Sequence, residues 1–161
     1  MSLLFSMSKK QYGKEYSAHL FEQYKLYIDS IEKTSDRRQD ANNYFIAINT
    51  ALISLIGISF QVKIFDNAPW LKSLLALLGI IICAIFWYLI RAYKQLNTGK
   101  FLVIHEIEKR LPLELYKYEW DTLKQGKDKK TYYPFSHIEL WIPWIFGAIY
   151  TILGIYFLLS K

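Results

Sequence analysis

The chain has 161 residues, 53% of them hydrophobic and 21% charged, with 20 Lys/Arg against 14 Asp/Glu and a single cysteine. That length suits one domain, and one thiol, Cys83, excludes an internal disulfide and a cysteine metal centre, leaving it as a small packing residue. The apolar residues are segregated into three blocks between charged stretches, which excludes a soluble core and indicates an integral membrane protein.

The opening MSLLFSMSKK has only a three-residue apolar run, Leu3 to Phe5, too short for a signal-peptide core, so no cleaved leader is expected. Residues 11–34 predict an amphipathic helix with Tyr16, Leu20, Tyr24, Tyr27, Ile28 and Ile31 on one side. A lipid-surface helix is normally more basic than residues 1–42, which carry seven Lys/Arg against six Asp/Glu. Packing against another helix is therefore the expectation. In TSDRRQDANN (34–43), Thr34, Ser35 or Asp36 is expected to cap a new helix, so that residues 1–41 form a separate N-terminal element. Arg37 and Arg38 lie just before lipid, where they serve as positive-inside anchors or as a clamp on phosphate head groups or a neighbour's carboxylate.

The first apolar block, Tyr44 to Phe60, is 17 residues and becomes a comfortable span if extended to Val62 or Phe65. Asn49 within it requires a hydrogen-bond partner, expected across a helix interface; the sharper alternative is that Asn49 and Thr50 line a pore. Ala51, Ser54 and Gly57 form a small-residue stripe, as do Ala76, Gly79 and Cys83 in the second block and Gly147, Thr151 and Gly154 in the third. Each stripe lets backbones approach closely, within one subunit or between subunits.

A short turn from Gln61 to Pro69 makes a hairpin of the first two spans, over residues 42–91. From Trp70 to Leu111 there are 42 residues between two prolines, apolar to Ile90 and thereafter striped at Leu96, Val103, Ile104, Ile107 and Leu111. This predicts one helix of about 63 Å, half in lipid and half in water. The alternative is two helices bent near Asn97-Thr98-Gly99. Residues 92–137 would then hold a cytoplasmic stalk and return segment. A further helix is expected over Leu113–Lys124, ending at Gly126 and burying Trp120 against the stalk. The basic loop with Lys124, Lys127, Lys129 and Lys130 precedes Tyr132, Tyr133 and Phe135, as where a chain returns to an anionic leaflet; specific lipid binding is the alternative reading. Ser136 and Glu139 have capping-box spacing before a third span, Leu140–Leu159, within residues 138–161, and Pro143 is expected about two turns inside that helix.

Charge sets the topology. Residues 1–42 and 91–138 carry seven and ten Lys/Arg, the turn with its edge two and the terminus one. The two basic segments are thus expected in the cytoplasm and the C-terminus outside. The net charge of +6 is this excess rather than a nucleic-acid signal. His19, His105 and His137 share no helix face, and no phosphate loop, zinc motif or nucleophile elbow occurs, so no enzyme, cofactor or metal is expected. Glu106 is spaced for an ion pair with Arg110.

The stretches SDRRQDANNYFIAINTALISLIG (35–57), RAYKQLNTGKFLVIHEIEKRLP (91–112), YEW (118–120) and FSHIELWIPWIF (135–146) together resemble the RipA-like family of small bacterial inner-membrane proteins, described as octameric. The elements of the likeness include Arg37, Arg38, Asn42, Asn49, Asn97, Lys100, Glu108, Glu119, Trp120, Glu139 and Pro143. The resemblance implies a ring-like homo-oligomer in the bacterial cytoplasmic membrane, with no established reaction or ligand. The expected fold is thus an all-α membrane protein with three spans and a cytoplasmic helical collar. The expected function is a non-enzymatic scaffold in envelope or stress physiology. The alternatives are an oligomeric channel or membrane-permeabilising effector, and an anionic-lipid sensor.

Overall fold

The computed structural model describes residues 4–61, 69–128, 130–132 and 138–159. Among these the elements are all helical: α1 (Lys9–Tyr12), α2 (Tyr16–Ser59), α3 (Pro69–Glu108), α4 (Leu115–Thr122), a 3₁₀ turn (Lys124–Gly126) and α5 (Ile142–Leu159). Helices α2, α3 and α5 are each long and apolar enough to cross a membrane. The hairpin turn Val62–Ala68, Lys129, Tyr133–His137 with the Ser136 cap, and the last two residues lie outside the described residues.

Helix α2 departs most from expectation. It runs unbroken for 44 residues, so the break and new cap expected between Thr34 and Asn43 do not occur. That segment contains no glycine or proline, and Arg, Gln and Ala favour helix. Thr34 Oγ1 donates to its own Ser30 carbonyl at 2.8 Å instead of capping a following turn. At the other end the helix starts at Tyr16, not residue 11, because Gly13 stands at φ +95° and closes the one-turn α1. Ser8 caps α1 in a reciprocal box with Gln11.

Helix α3 is 40 residues without interruption, so the chain does not bend at Asn97–Gly99. At about 1.5 Å per residue it is about 60 Å long. Pro69 opens it, where a missing N–H costs nothing. It ends at Glu108, three residues before expected; Leu111 is taken out of helix by the proline that follows. Pro143 is the second residue of α5 rather than two turns inside, a position that tolerates proline without a kink.

The contacts divide the chain into two compact units, each drawing on both long helices: Met1–Arg37 with Lys94–Pro134, and Arg38–Tyr93 with Phe135–Lys161. In the first, Tyr24 and Ile31 of α2 close over Ile104 and Ile107 of α3, flanked by Leu20, Tyr27, Ile28, Phe101 and Tyr116. Lys100 reaches Ser30, bonding its carbonyl at 3.1 Å and its hydroxyl at 2.6 Å. Trp120 stays 38% exposed; Tyr116 is the ring of α4 that packs, 5.9 Å from Phe101. In the second unit, Leu52 and Ile56 of α2, Cys83 of α3, and Tyr150 and Phe157 of α5 form the core. Phe45 and Phe86 stack with centroids 4.8 Å apart.

Candidate functional site

Three polar constellations stand out against this apolar packing. The first joins the three spans of the second unit at Tyr150, which is fully buried. Its ring lies flat on Gly79: a Cβ built there would fall 2.5 Å from the ring carbons. Any side chain at Gly79 would displace the ring. The Tyr150 hydroxyl donates to the Asn49 carbonyl at 3.0 Å. Asn49, itself 0% exposed, gives its Nδ2 to its own Phe45 carbonyl at 2.7 Å and accepts from Cys83 Sγ at 3.4 Å. Its amide is thus used within the chain. A Cβ built at Gly154 would stand 3.7 Å from that of Ala76, and one built at Gly147 would stand 3.9 Å from that of Cys83. These small residues let α3 and α5 come close.

Ala51, Ser54 and Gly57 of the first span are exposed in the single chain, and nothing lies within 4 Å of where a Gly57 Cβ would stand. Thr50, Ser54 and Thr151 are exposed too. Each hydroxyl donates to the carbonyl four residues back, at 2.8, 2.9 and 2.8 Å, so none is left unbonded in an apolar surrounding.

The second constellation lies at the start of the first and third apolar blocks. Asn42 Nδ2 donates to Glu139 Oε1 at 2.7 Å, and Arg38 stands 3.7 Å from Glu139 Oε2. Glu139 is 2% exposed and Asn42 8%. Arg38 Nε, Asn42 Oδ1 and Glu139 Oε2 are buried with no hydrogen-bond partner among the described residues. Arg38 is therefore paired with a carboxylate of its own chain, at a distance too long for a hydrogen bond. In the sequence Glu139 reads only as half of a capping box; no local signal pairs it with residue 42.

The third is Glu108, fully buried at the end of α3. It accepts from the Tyr24 hydroxyl at 2.9 Å and from the backbone amides of Tyr116 and Lys117 at 3.0 and 3.1 Å. Those amides belong to the first turn of α4, whose own cap residue Glu114 offers no side-chain bond. A carboxylate seven residues ahead of that helix does the capping. Burial, reinforced by the bond to Glu108, pushes the Tyr24 hydroxyl well above the usual tyrosine range. Glu106 turns outward and pairs with Lys109 rather than with Arg110, which donates to the Tyr16 hydroxyl at 2.7 Å.

Of the remaining residues singled out in the sequence, Ile104 and Ile107 are buried within the chain, whereas Leu96 is 50% exposed. Arg37, Lys127 and Lys130 are exposed; Lys129 lies outside the described residues. Lys127 bonds Gln125 at 2.8 Å. Lys124 bonds Asp128 at 2.6 Å, and Asp128 also accepts from the Lys130 amide and the Thr131 hydroxyl, each at 3.0 Å. The Lys124 ammonium and these donors hold the Asp128 carboxyl below its ordinary range.

Three long apolar helices, with buried polar groups placed where those helices meet, define an all-helical membrane protein. Residues 21–159 match the model of the octameric membrane protein family, and the chain belongs to that family. No curated protein and no solved structure matched the chain. Family membership makes the protein a homo-oligomer.

Proposed function

We propose that the chain is a non-enzymatic subunit of a ring-like scaffold in the bacterial cytoplasmic membrane, acting in envelope or stress physiology. The observation that carries this reading is Leu96: an apolar side chain half exposed on the water-side portion of α3, in a chain of an octameric family. A neighbouring copy is the natural cover for it. Leu102 on the same helix is 62% exposed, and Phe21 and Leu26 of α2 are 49% and 68% exposed, so the first unit offers apolar surface on both helices. In this reading first units from several copies form a collar in the cytoplasm. The seventeen Lys/Arg of residues 1–42 and 91–138 hold that side inward and leave the C-terminus outside.

Asn49 speaks against a channel, since its amide is bonded within the chain. Cysteine pairs placed at Leu96 and Leu102 in native membranes test the scaffold. Efficient cross-linking into a ladder of multimers is expected. A chain that stays monomeric under oxidation would overturn the reading. Conductance in reconstituted, fully assembled rings would favour the channel instead.

A further inference from the structure

The scaffold reading makes no use of the Arg38–Asn42–Glu139 cluster. Two of its members are more than nine-tenths buried, yet each keeps one polar atom without a hydrogen-bond partner among the described residues. The unfilled bonds are two acceptors, Asn42 Oδ1 and Glu139 Oε2, and one donor, Arg38 Nε. Leaving such groups unpaired is costly, and the cost is recovered by a ligand that supplies what is missing. A bare anion does not fit, because it would meet two oxygen acceptors. A quaternary ammonium has no N–H to offer either of them.

We propose that this cluster binds the phosphoethanolamine head group of a membrane lipid. Its primary ammonium donates to Glu139 Oε2 and Asn42 Oδ1, and its phosphate accepts from Arg38 Nε. The charges match: one cation and one anion on the protein face one anion and one cation on the ligand. The depth fits a lipid head group, since Asn42 stands just before the apolar run that starts at Tyr44 and Glu139 just before α5. Arg38 is the way in. Its side chain is 21% exposed against 3% for Glu139, and at 3.7 Å it makes no hydrogen bond to that carboxylate that would have to break.

The test uses the full-length protein in its assembled form, exchanged into lipids of identical acyl chains and read by native mass spectrometry. The head groups are phosphatidylethanolamine, its mono- and dimethyl derivatives, and phosphatidylcholine, which share one phosphate and charge and lose one N–H with each added methyl. Retention should fall along the series, by about tenfold between the ends, as expected for losing a charged hydrogen bond. Asn42→Leu should flatten the series, and Arg38→Lys should lower all four lipids together; the same spectra report whether each variant still assembles. Equal retention of all four lipids by the unaltered protein would overturn the proposal without recourse to any variant. Free phosphoethanolamine is the competing source of the same chemistry. If it displaces the lipid at millimolar concentration the lipid assignment fails, and if the lipid stays bound the assignment stands.

Discussion

At the scale of single residues, the second unit hinges on one aromatic ring set against one glycine. Tyr150 takes up the space beside Gly79 that any side chain would need, so Gly79→Ala forces a 2.5 Å clash with a ring that is buried and bonded at its hydroxyl. Overpacking of this kind typically costs about 1–3 kcal/mol. Thermal unfolding in detergent should show that loss for Gly79→Ala and almost none for Gly57→Ala, where the added methyl meets nothing in the chain. Tyr150→Phe keeps the ring and removes only the bond to Asn49, so a smaller loss of about 1 kcal/mol is expected. Sequence alone marks Gly79 and Asn49 as packing positions, because small and polar residues are conspicuous in apolar runs. It cannot name Tyr150 as the partner, since a tyrosine within a span of aromatic and aliphatic residues carries no distinguishing signal.

At the scale of elements, helix α4 is held by a residue outside itself. Its first-turn amides end on Glu108, which also receives Tyr24 from α2. Glu108→Ala removes the acceptor for all three donors and should cost about 2–4 kcal/mol. The loss should be local, with hydrogen exchange rising first at Tyr116 and Lys117 while α5 stays protected. The adjoining loop has its own acid sensitivity. Asp128 titrates below its unfolded value, so the order it provides is present above the ordinary carboxylate pKa of 3.8 and is lost as pH falls through its lowered folded value. The protection factor of the Lys130 amide, which takes out the intrinsic pH dependence of exchange, should fall over that acidic window and stay level between pH 6 and 8.

The same scale explains what could be read in advance. Three apolar helices were legible because length and hydropathy are local properties of the chain. The continuity of α3 was legible from the absence of proline between Pro69 and Pro112. The continuity of α2 was not: residues 34–43 are rich in cap formers, and what keeps them helical is the absence of breakers together with the Asn42 hydrogen bond and the Arg38 ion pair to Glu139. Glu108 and Glu139 were opaque for a related reason. A carboxylate at a helix edge normally faces water, and the partners that bury these two lie 84 and 97 residues away, at Tyr24 and Asn42.

At the scale of the whole molecule, one chain leaves much apolar surface uncovered, and only part of it can face lipid. The span portions of α2, α3 and α5 carry exposed Leu and Ile as a membrane requires. Leu96 and Leu102 lie beyond the apolar run that ends at Ile90, among the polar residues Lys94, Gln95 and Lys100, where water would otherwise meet them. In the proposed collar, copies of the chain cover that surface; the family to which the chain belongs is octameric. The most direct test is the mass of the particle released from the membrane in mild detergent, measured by native mass spectrometry. The account predicts a single species near eight times the 19.1 kDa subunit, which loses copies when Leu96 is replaced by lysine. A wild-type particle of one subunit's mass, or an assembly indifferent to Leu96→Lys and Leu102→Lys together, would contradict it.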